Sequence, residues 1–337
     1  MTHSPVTAAP PSLKIVVMGT GPFAVPMFHA ILESPHSVVA VVTRPAHAPA
    51  GRRPPPNPMR DAATAAGVPI IAPERINDPE AIAAVRALSP DLLVVCDYGQ
   101  ILSPAALGVA PYGGINLHGS LLPRHRGAAP VQWAILAGDA TTGVSVIHMT
   151  PALDAGNVIA AKETPIGAHE MAPALEQRLA GMGVTAVLEA IDLLASAGPG
   201  STPGVPQDAT RVTRAPRLAK TDGIVTWSLP ATRIERMRRA LEPWPRTATF
   251  LHAGADRPPL RVVLEDIAVV DASVTGHATD ATVPPGTILA ADEAGLVVAC
   301  GEGTRLVVRR LVPEGKRSMS AAEFLRGHAL FADACFA

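Results

Sequence analysis

The sequence predicts an α/β fold: a mostly parallel sheet covered by helices on both faces, followed by a small β-barrel. Three observations predict it. Over the first half of the chain, apolar runs of strand length alternate with segments of helical period. A Gly/Pro/Ser stretch, AGPGSTPGVPQDAT (197–210), then interrupts all periodicity. Beyond it come strand-like runs at regular spacing with glycine turns between them. The expected organisation is a first domain over 12–197, a linker over 198–210 and a second domain over 211–337.

The elements follow in order. LKIVVM (13–18) is a short buried strand, and GTGPFAVPMFHAILES bends at glycine into an apolar-periodic helix. HSVVAVVT (36–43) is the next strand. After a Pro-rich loop come a helix near 57–66, a short strand at 69–71, a helix near 79–88 and the strand DLLVVC (91–96). GINL (114–117) and GVSVIHM (143–149) are strands on either side of a helix near 128–137, and a long helix over about 169–197 closes this half. In the second half a helix near 230–241 leads into EPWPR. TATFLHA, LRVVLEDIAVV, GTILAAD, GLVVACG and TRLVVRRLV are its strands, and Ser320 with Glu323 forms a capping box that opens a terminal helix.

The 337 residues suffice for two domains with a sizeable core. Apolar residues make up 48% and charged ones only 17%, a balance that excludes a disordered chain. The 35 prolines point to long, Pro-punctuated loops. The longest apolar runs are strand-sized, so no membrane span is expected, and Met1–Pro11 lacks the pattern of a signal peptide. Cys96, Cys300 and Cys335 are scattered without the spacing of a zinc site or disulfide framework. No metal is expected, and the cytoplasm is the expected compartment. Net charge is −1 but unevenly spread: residues up to Asp208 carry 11 Lys/Arg against 15 Asp/Glu, and the remainder 17 against 14. The basic clusters Arg211/Arg214/Arg217/Lys220, Arg233/Arg236/Arg238/Arg239 and Lys316/Arg317 fit either a polyanionic partner or solvated helix faces.

Two stretches carry candidate chemistry. Gly19-Thr20-Gly21-Pro22-Phe23-Ala24 follows a strand, opens a helix and fits the dinucleotide fingerprint of a Rossmann-like domain. The acidic residue that would hold a ribose hydroxyl is missing, because the second strand ends at Thr43-Arg44; Arg44 suits an NADP 2′-phosphate instead. Glycine is equally what any tight first βα bend requires. The second stretch is INLHGSLLP, at the end of a strand whose carboxyl edge is where open α/β sheets bind ligands. Asn116 and His118, two residues apart, point to one side. A neutral amide donor beside a group that titrates near neutrality suits a carbonyl whose oxygen gains charge during attack. The competing reading is a packed pair at a strand edge. Asp154, the only carboxylate between Asp139 and Glu163, lies in LDAG, where Gly156 permits a sharp bend that places the carboxylate near the same edge. It would orient the His118 ring, or else cap its own turn. His148 reads as a packed histidine.

GINLHGSLLPRHRGAAPVQWAILAGDATTGVSVIHMTPALDAGNVI resembles the signature of the 10-formyltetrahydrofolate-dependent formyltransferases. The resemblance extends to VVTRPAHAPAGRR, DYGQIL, QDATRVTRAPRLAKTDGIVTWSL, EPWPR and GKRSMSAAEFLRG. The last four are similar to the family member that formylates initiator methionyl-tRNA. The resemblance implies Asn116, His118 and Asp154 as catalytic residues. It implies Ser120, Leu121, Leu122 and Pro123, with Tyr98, Gly99, Ile101 and Leu102, around the folate co-substrate. Arg44, Arg52 and Arg53 would meet the tRNA acceptor end, and an OB-like barrel would contact its backbone. In the implied reaction the methionine amine attacks the formyl carbon carried on N10, Asn116 and protonated His118 donate to the formyl oxygen, and Asp154 steadies the imidazolium.

The chain departs from the family pattern at Asp97, at Asn157, at His125 and in the longer, Pro-rich loop PAHAPAGRRPPPNP. Three other readings stay open: a sugar-nucleotide N-formyltransferase, an NADP oxidoreductase resting on the Gly19 turn, and a non-enzymatic RNA-binding module.

Overall fold

A computed structural model describes residues 11–46, 54–253, 258–270, 283–328 and 334–337, which gather into two compact units. The first is drawn from 1–130, 141–165 and 175–216, the second from 131–140, 166–174 and 217–337. Residues 198–216 thus cluster with the first unit.

The strands of the first unit are β1 (Lys14–Met18), β2 (Ser37–Val42), β3 (Ile70–Ile71), β4 (Leu92–Val95), β5 (Gly114–His118), β6 (Arg126–Gly127), β7 (Thr141–His148), β8 (Val158–Pro165) and β9 (Arg214–Ala215). Seven form one sheet in the order β3-β2-β1-β4-β5-β7-β8, and β6 pairs with β9 alone. The first five run parallel; β7 and β8 are antiparallel. β1 and β4 are buried almost throughout, which is why they read as unbroken apolar runs. β8 was not among the expected strands. Its VIAAKETP alternates partly buried with exposed residues at the sheet edge, and Ala, Lys and Glu there give little strand signal.

The helices are α1 (Val25–Leu32), α2 (Pro58–Ala65), α3 (Pro79–Ala87), α4 (Pro104–Leu107), α5 (Pro130–Ala137), which past Pro130 belongs to the second unit, and α6 (Ala172–Ala197). Each of α1 to α4 carries proline in its first turn, where the missing N–H costs nothing. Some of the proline taken as loop punctuation therefore starts helices. By length and composition alone α6 is apolar enough to cross a membrane, and it is longer than the strand-sized apolar runs read from the sequence. Half of its most apolar window is buried inside the protein, as for a core helix. Gly183 lets α6 lie close to β5, since a Cβ there would stand 2.6 Å from Leu117 Cδ2. Leu117 thus faces α6, and by strand alternation Asn116 and His118 face the opposite side.

The second unit holds α7 (Ala231–Ala240), β10 (Ala248–His252), β11 (Leu260–Val270), β12 (Ile288–Asp292), β13 (Gly295–Ala299), β14 (Arg305–Pro313), β15 (Met319–Ser320), α8 (Ala321–Gly327) and β16 (Cys335–Phe336). The strand order is β12-β13-β14-β11-β10-β16, with β15 paired to β14. A bridge from Thr287 to Cys335 joins the two ends, so the antiparallel sheet nearly closes into the expected OB-like barrel. Trp227, Leu251, Val262, Leu296, Val308, Phe324 and Phe336 fill it. The capping box at α8 forms as read: Glu323 N–H donates to Ser320 Oγ, and Ser320 N–H to Glu323 Oε2.

The chain terminus is part of this core. Phe336 stacks on Trp227 with ring centroids 5.4 Å apart, Trp227 Nε1 donates to Thr249 Oγ1 at 2.9 Å, and Thr249 Oγ1 donates to the Ala337 carbonyl at 3.0 Å. Phe336→Ala is expected to destabilise the barrel by about 3–5 kcal/mol. All three tryptophans, Trp133, Trp227 and Trp244, belong to the second unit, so urea unfolding followed by their fluorescence reads that loss directly.

Candidate active site

β5 ends at His118 against β4 on one side and β7 on the other, with Asn116 opposite Val95 and Ile147. The Asn116 side chain is half-buried and makes no hydrogen bond among the described residues, so its amide N–H groups are available to a ligand. His118 is buried, 5% exposed. Its Nε2 lies 2.9 Å from the carbonyl oxygen of His125. A carbonyl only accepts, so Nε2 carries the proton and donates. The other ring nitrogen, Nδ1, faces Asp154 Oδ2 at 3.8 Å, beyond hydrogen-bond length. Nδ1 is therefore the ring position free to act.

Asp154 does not sit at the carboxyl edge of β5 by simple strand continuation. β7 runs antiparallel, and it ends at His148 opposite Ile115, three residues back from His118 or roughly 10 Å. The 149–157 loop must double back to bring Asp154 to the imidazole. Gly156 lets it cross the end of β7, where a Cβ would stand 1.9 Å from the His148 carbonyl oxygen. Asp154 itself has φ +51, a conformation Asp tolerates better than most residues. Its Oδ2 accepts the Gly127 N–H at 2.8 Å, so the carboxylate is held from the β6 side. His125, noted in sequence only as a departure, contributes its backbone: φ +59 turns its carbonyl onto His118 while its N–H donates to Thr213 Oγ1 at 2.8 Å.

The remaining expected residues divide. Ser120 is fully buried and its Oγ donates to the Arg124 carbonyl, while the Ser145 hydroxyl ties the Ser120 carbonyl to the Leu122 N–H. Leu121 and Leu122 are half-buried and Pro123 is buried. In the loop after β4, Tyr98 and Leu102 point into the core and anchor it; burial pushes the Tyr98 hydroxyl up to about 12 and leaves its oxygen without a partner. This loop exposes Asp97, Gly99 and Ile101, Ile101 by 67%. Arg44 is exposed, but its guanidinium donates to the Gly99 carbonyl at 2.8 Å and so holds the same loop. Arg52 and Arg53 lie outside the described residues. His148 is packed as expected, with Nε2 donating to the Pro203 carbonyl at 3.0 Å and burial lowering its pKa.

The Gly19 turn is filled from within the chain. Gly21 N–H donates to the Asp97 carboxylate, and a Cβ at Gly21 would stand 1.6 Å from Asp97 Oδ2. Crowding by protein atoms raises the Asp97 pKa, and the Arg44 guanidinium and Gly21 N–H pull it back. Glu176 is raised by burial and by Asp97. The Asp97 carboxylate takes the Gly21 N–H that a dinucleotide's pyrophosphate would need, which argues against the oxidoreductase reading.

In the second unit, most of the α7 arginine cluster is committed internally. Arg233 donates to the Leu136 carbonyl, Arg238 to the Glu265 carbonyl at 2.6 Å, and Arg239, buried, to Glu235 Oε1 at 2.7 Å. These three carry structure rather than an open basic face. Arg309 differs: β14 bulges against β11 around it, and its side chain is exposed without a partner among the described residues. Lys316 and Arg317, in the connection between β14 and β15, are exposed as well. Among the described residues no group of three or more His, Cys, Asp or Glu is arranged to hold a metal.

Two family models match this chain: formyl transferase over residues 13–191, and formyl transferase, C-terminal domain, over 217–329. The chain is 47% identical over 332 residues to the methionyl-tRNA formyltransferase of Rhodopirellula baltica, covering 95% of this chain and 96% of that protein. It is 37% identical over 328 residues to that of Desulfotalea psychrophila, covering 97% and 96%. Its fold is similar to WlaRD, a sugar 3N-formyl transferase solved with dTDP and 5-N-formyl-THF, at TM-score 0.61 and 13% identity over 91% of this chain and 100% of that one. It is also similar to HypX from Aquifex aeolicus in complex with tetrahydrofolic acid, at TM-score 0.58 and 14% identity over 94% and 47%. Structural likeness at those identities speaks to fold alone, whereas the sequence relatives match end to end. The chain belongs to the formyl transferase family, among its methionyl-tRNA formyltransferases.

Proposed function

We propose that this chain transfers the formyl group of 10-formyltetrahydrofolate to the α-amino group of initiator methionyl-tRNA in the cytoplasm, using Asn116, His118 and Asp154. The observation that carries the reading is their juxtaposition: an unpaired amide, a histidine with one nitrogen committed and one free, and a carboxylate 3.8 Å from the free nitrogen. The folate supplies the formyl group. Ile101 and Gly99 on one side and Leu121 and Leu122 on the other offer it exposed and half-buried surface, with Tyr98, Leu102, Ser120 and Pro123 as anchors beneath.

The residues then have separate tasks. Asn116 donates to the formyl oxygen as charge builds on it. His118 works through Nδ1, because its Nε2 proton stays on the His125 carbonyl. Nδ1 takes the proton from the attacking amine and returns it toward the leaving nitrogen, and while protonated it adds a second donor near the oxygen. Asp154 holds the resulting imidazolium in place. Arg309, Lys316 and Arg317 offer the tRNA backbone a basic surface on the barrel, and Arg44, Arg52 and Arg53 are assigned to its acceptor end.

The deciding assay mixes the chain with 10-formyltetrahydrofolate and charged initiator methionyl-tRNA, with an amino-sugar nucleotide in parallel. Formyl on methionine is the expected result. Formyl on the sugar alone would reassign the acceptor, and folate binding without any transfer would favour an RNA-binding module.

Two predictions accompany it. His118→Ala and Asp154→Asn each lower kcat by about 10²–10⁴-fold while folate binding persists, read by single-turnover transfer and by folate fluorescence titration. Arg309→Gln raises KM for tRNA, leaves kcat at saturation, and lowers the log–log salt slope of binding by about 0.7–0.9. Filter binding across a salt series measures that slope, and an unchanged value would remove Arg309 from the tRNA surface.

A further inference from the structure

The segment read from sequence as a linker is bonded along the back of the Asp154 loop. Val205 and Val158 exchange backbone hydrogen bonds at 2.9 Å, and the Pro203 carbonyl accepts from His148. Gly204 makes the close approach possible, since a Cβ there would stand 2.5 Å from the Val158 carbonyl oxygen. Further along this segment lies Gln207, which is half-buried. Gln207 Nε2 donates to the Asp154 carbonyl at 2.8 Å and to the Gly156 carbonyl at 2.8 Å. Its Oε1 accepts from Arg126 Nε at 3.1 Å and Arg126 Nη2 at 2.7 Å. A glutamine amide has two donors and two acceptor positions, and here all four are used.

We infer that Gln207 is a positioning residue for formyl transfer: it joins the loop carrying Asp154 to the strand carrying Arg126 and so fixes the Asp154 carboxylate relative to His118 Nδ1. The inference rests on the reading of Asp154 given above. The connection has a short lever arm, because Arg126 precedes Gly127, whose N–H is the donor to Asp154 Oδ2. One side chain therefore fixes both ends of the carboxylate's environment, its own backbone and its hydrogen-bond donor. Glutamine is the residue this place requires. Glutamate would keep the Arg126 contact and turn a second oxygen against two carbonyls, and methionine would fill the space without bonding either side.

The test uses the full chain and four variants: Gln207→Glu, Gln207→Met, Asp154→Asn, and Gln207→Glu combined with Asp154→Asn. Single-turnover transfer to methionyl-tRNA is measured with KM for both substrates and with thermal unfolding. Misplacing a catalytic group by about 1 Å costs up to about 10²-fold, so Gln207→Glu and Gln207→Met are each expected to lower kcat by about 10–100-fold. KM for folate and tRNA should stay within about twofold of the parent, and each variant should still unfold in one cooperative transition, at a lowered midpoint that remains above the assay temperature. In the Asp154→Asn background the glutamate is expected to cost less than about threefold more, because there is no carboxylate left to position. A kcat near that of the parent in both single variants would overturn the inference while leaving Asp154 in its role. A loss that multiplies with Asp154→Asn would also overturn it, since Gln207 would then act by another route. Full activity of Asp154→Asn would instead remove the reading on which the inference stands. If the glutamate variant fails to fold, the uncharged methionine variant and its combination with Asp154→Asn decide the same question.

Discussion

The antiparallel turn of the sheet between β5 and β7 is the constraint from which the site geometry follows. Had β7 continued the parallel order, the loop after it would leave at the carboxyl edge beside His118. Instead it leaves about 10 Å away and must return. Ordering such a loop costs about 1–2 kcal/mol per residue, and a hydrogen bond returns about 1–3 kcal/mol at most. No single contact can hold it. The chain meets this with bonds from three directions: Gly127 from β6, Gln207 and Val205 from the segment after α6, and the His148 N–H on the Asn157 carbonyl at the base. β6 and β9 are only two residues each, yet they decide where Gly127 stands, and Gly127 at φ +135 tolerates no side chain because Ala215 lies against it.

Backbone strain collects here and at the Gly19 turn. Asp97, His125 and Asp154 all have φ between +47 and +59, and they are three of the six non-glycine residues with positive φ among those described. Each does something a relaxed backbone would not. His125 turns a carbonyl onto the imidazole, Asp154 folds its loop under Gly127, and Asp97 turns its carboxylate toward Gly21. Asp and His bear this conformation at lower cost than β-branched residues, which is a physical reason for those residue types there.

The sequence made the longer strands except β8, most helices and the Asn116–His118 pair legible, because period-two alternation at a strand end says where two side chains point. Other features depend on contacts distant in sequence and leave no local trace. Gln207 lies 53 residues from Asp154 and 81 from Arg126, inside a stretch whose Gly and Pro suggest only a linker. β8 escaped because an edge strand needs few β-formers. The arginines of α7 misled in the opposite direction: a charge cluster shows that cations are present, and three of these four are spent on carbonyls and on Glu235.

The Gly19 turn shows how one α/β scaffold separates into different chemistries. A free turn of this kind presents backbone N–H groups to an anion. Here Gly21 N–H is already bound to Asp97, and Arg44 offsets part of that carboxylate's charge while bonding Gly99. With the Gly21 N–H taken by a carboxylate of its own chain, the first crossover serves as a support for the Tyr98–Leu102 loop. The proposed chemistry lies two strands along the sheet, on β5, where the half-buried Asn116 offers a neutral amide and the buried His118 an Nδ1 that donates only once protonated. Such donors match an oxygen that becomes charged only as reaction proceeds, and they match poorly a ligand that arrives charged. The difference between a nucleotide-binding edge and an acyl-transfer edge on this sheet therefore comes down to which strand end keeps its donors free.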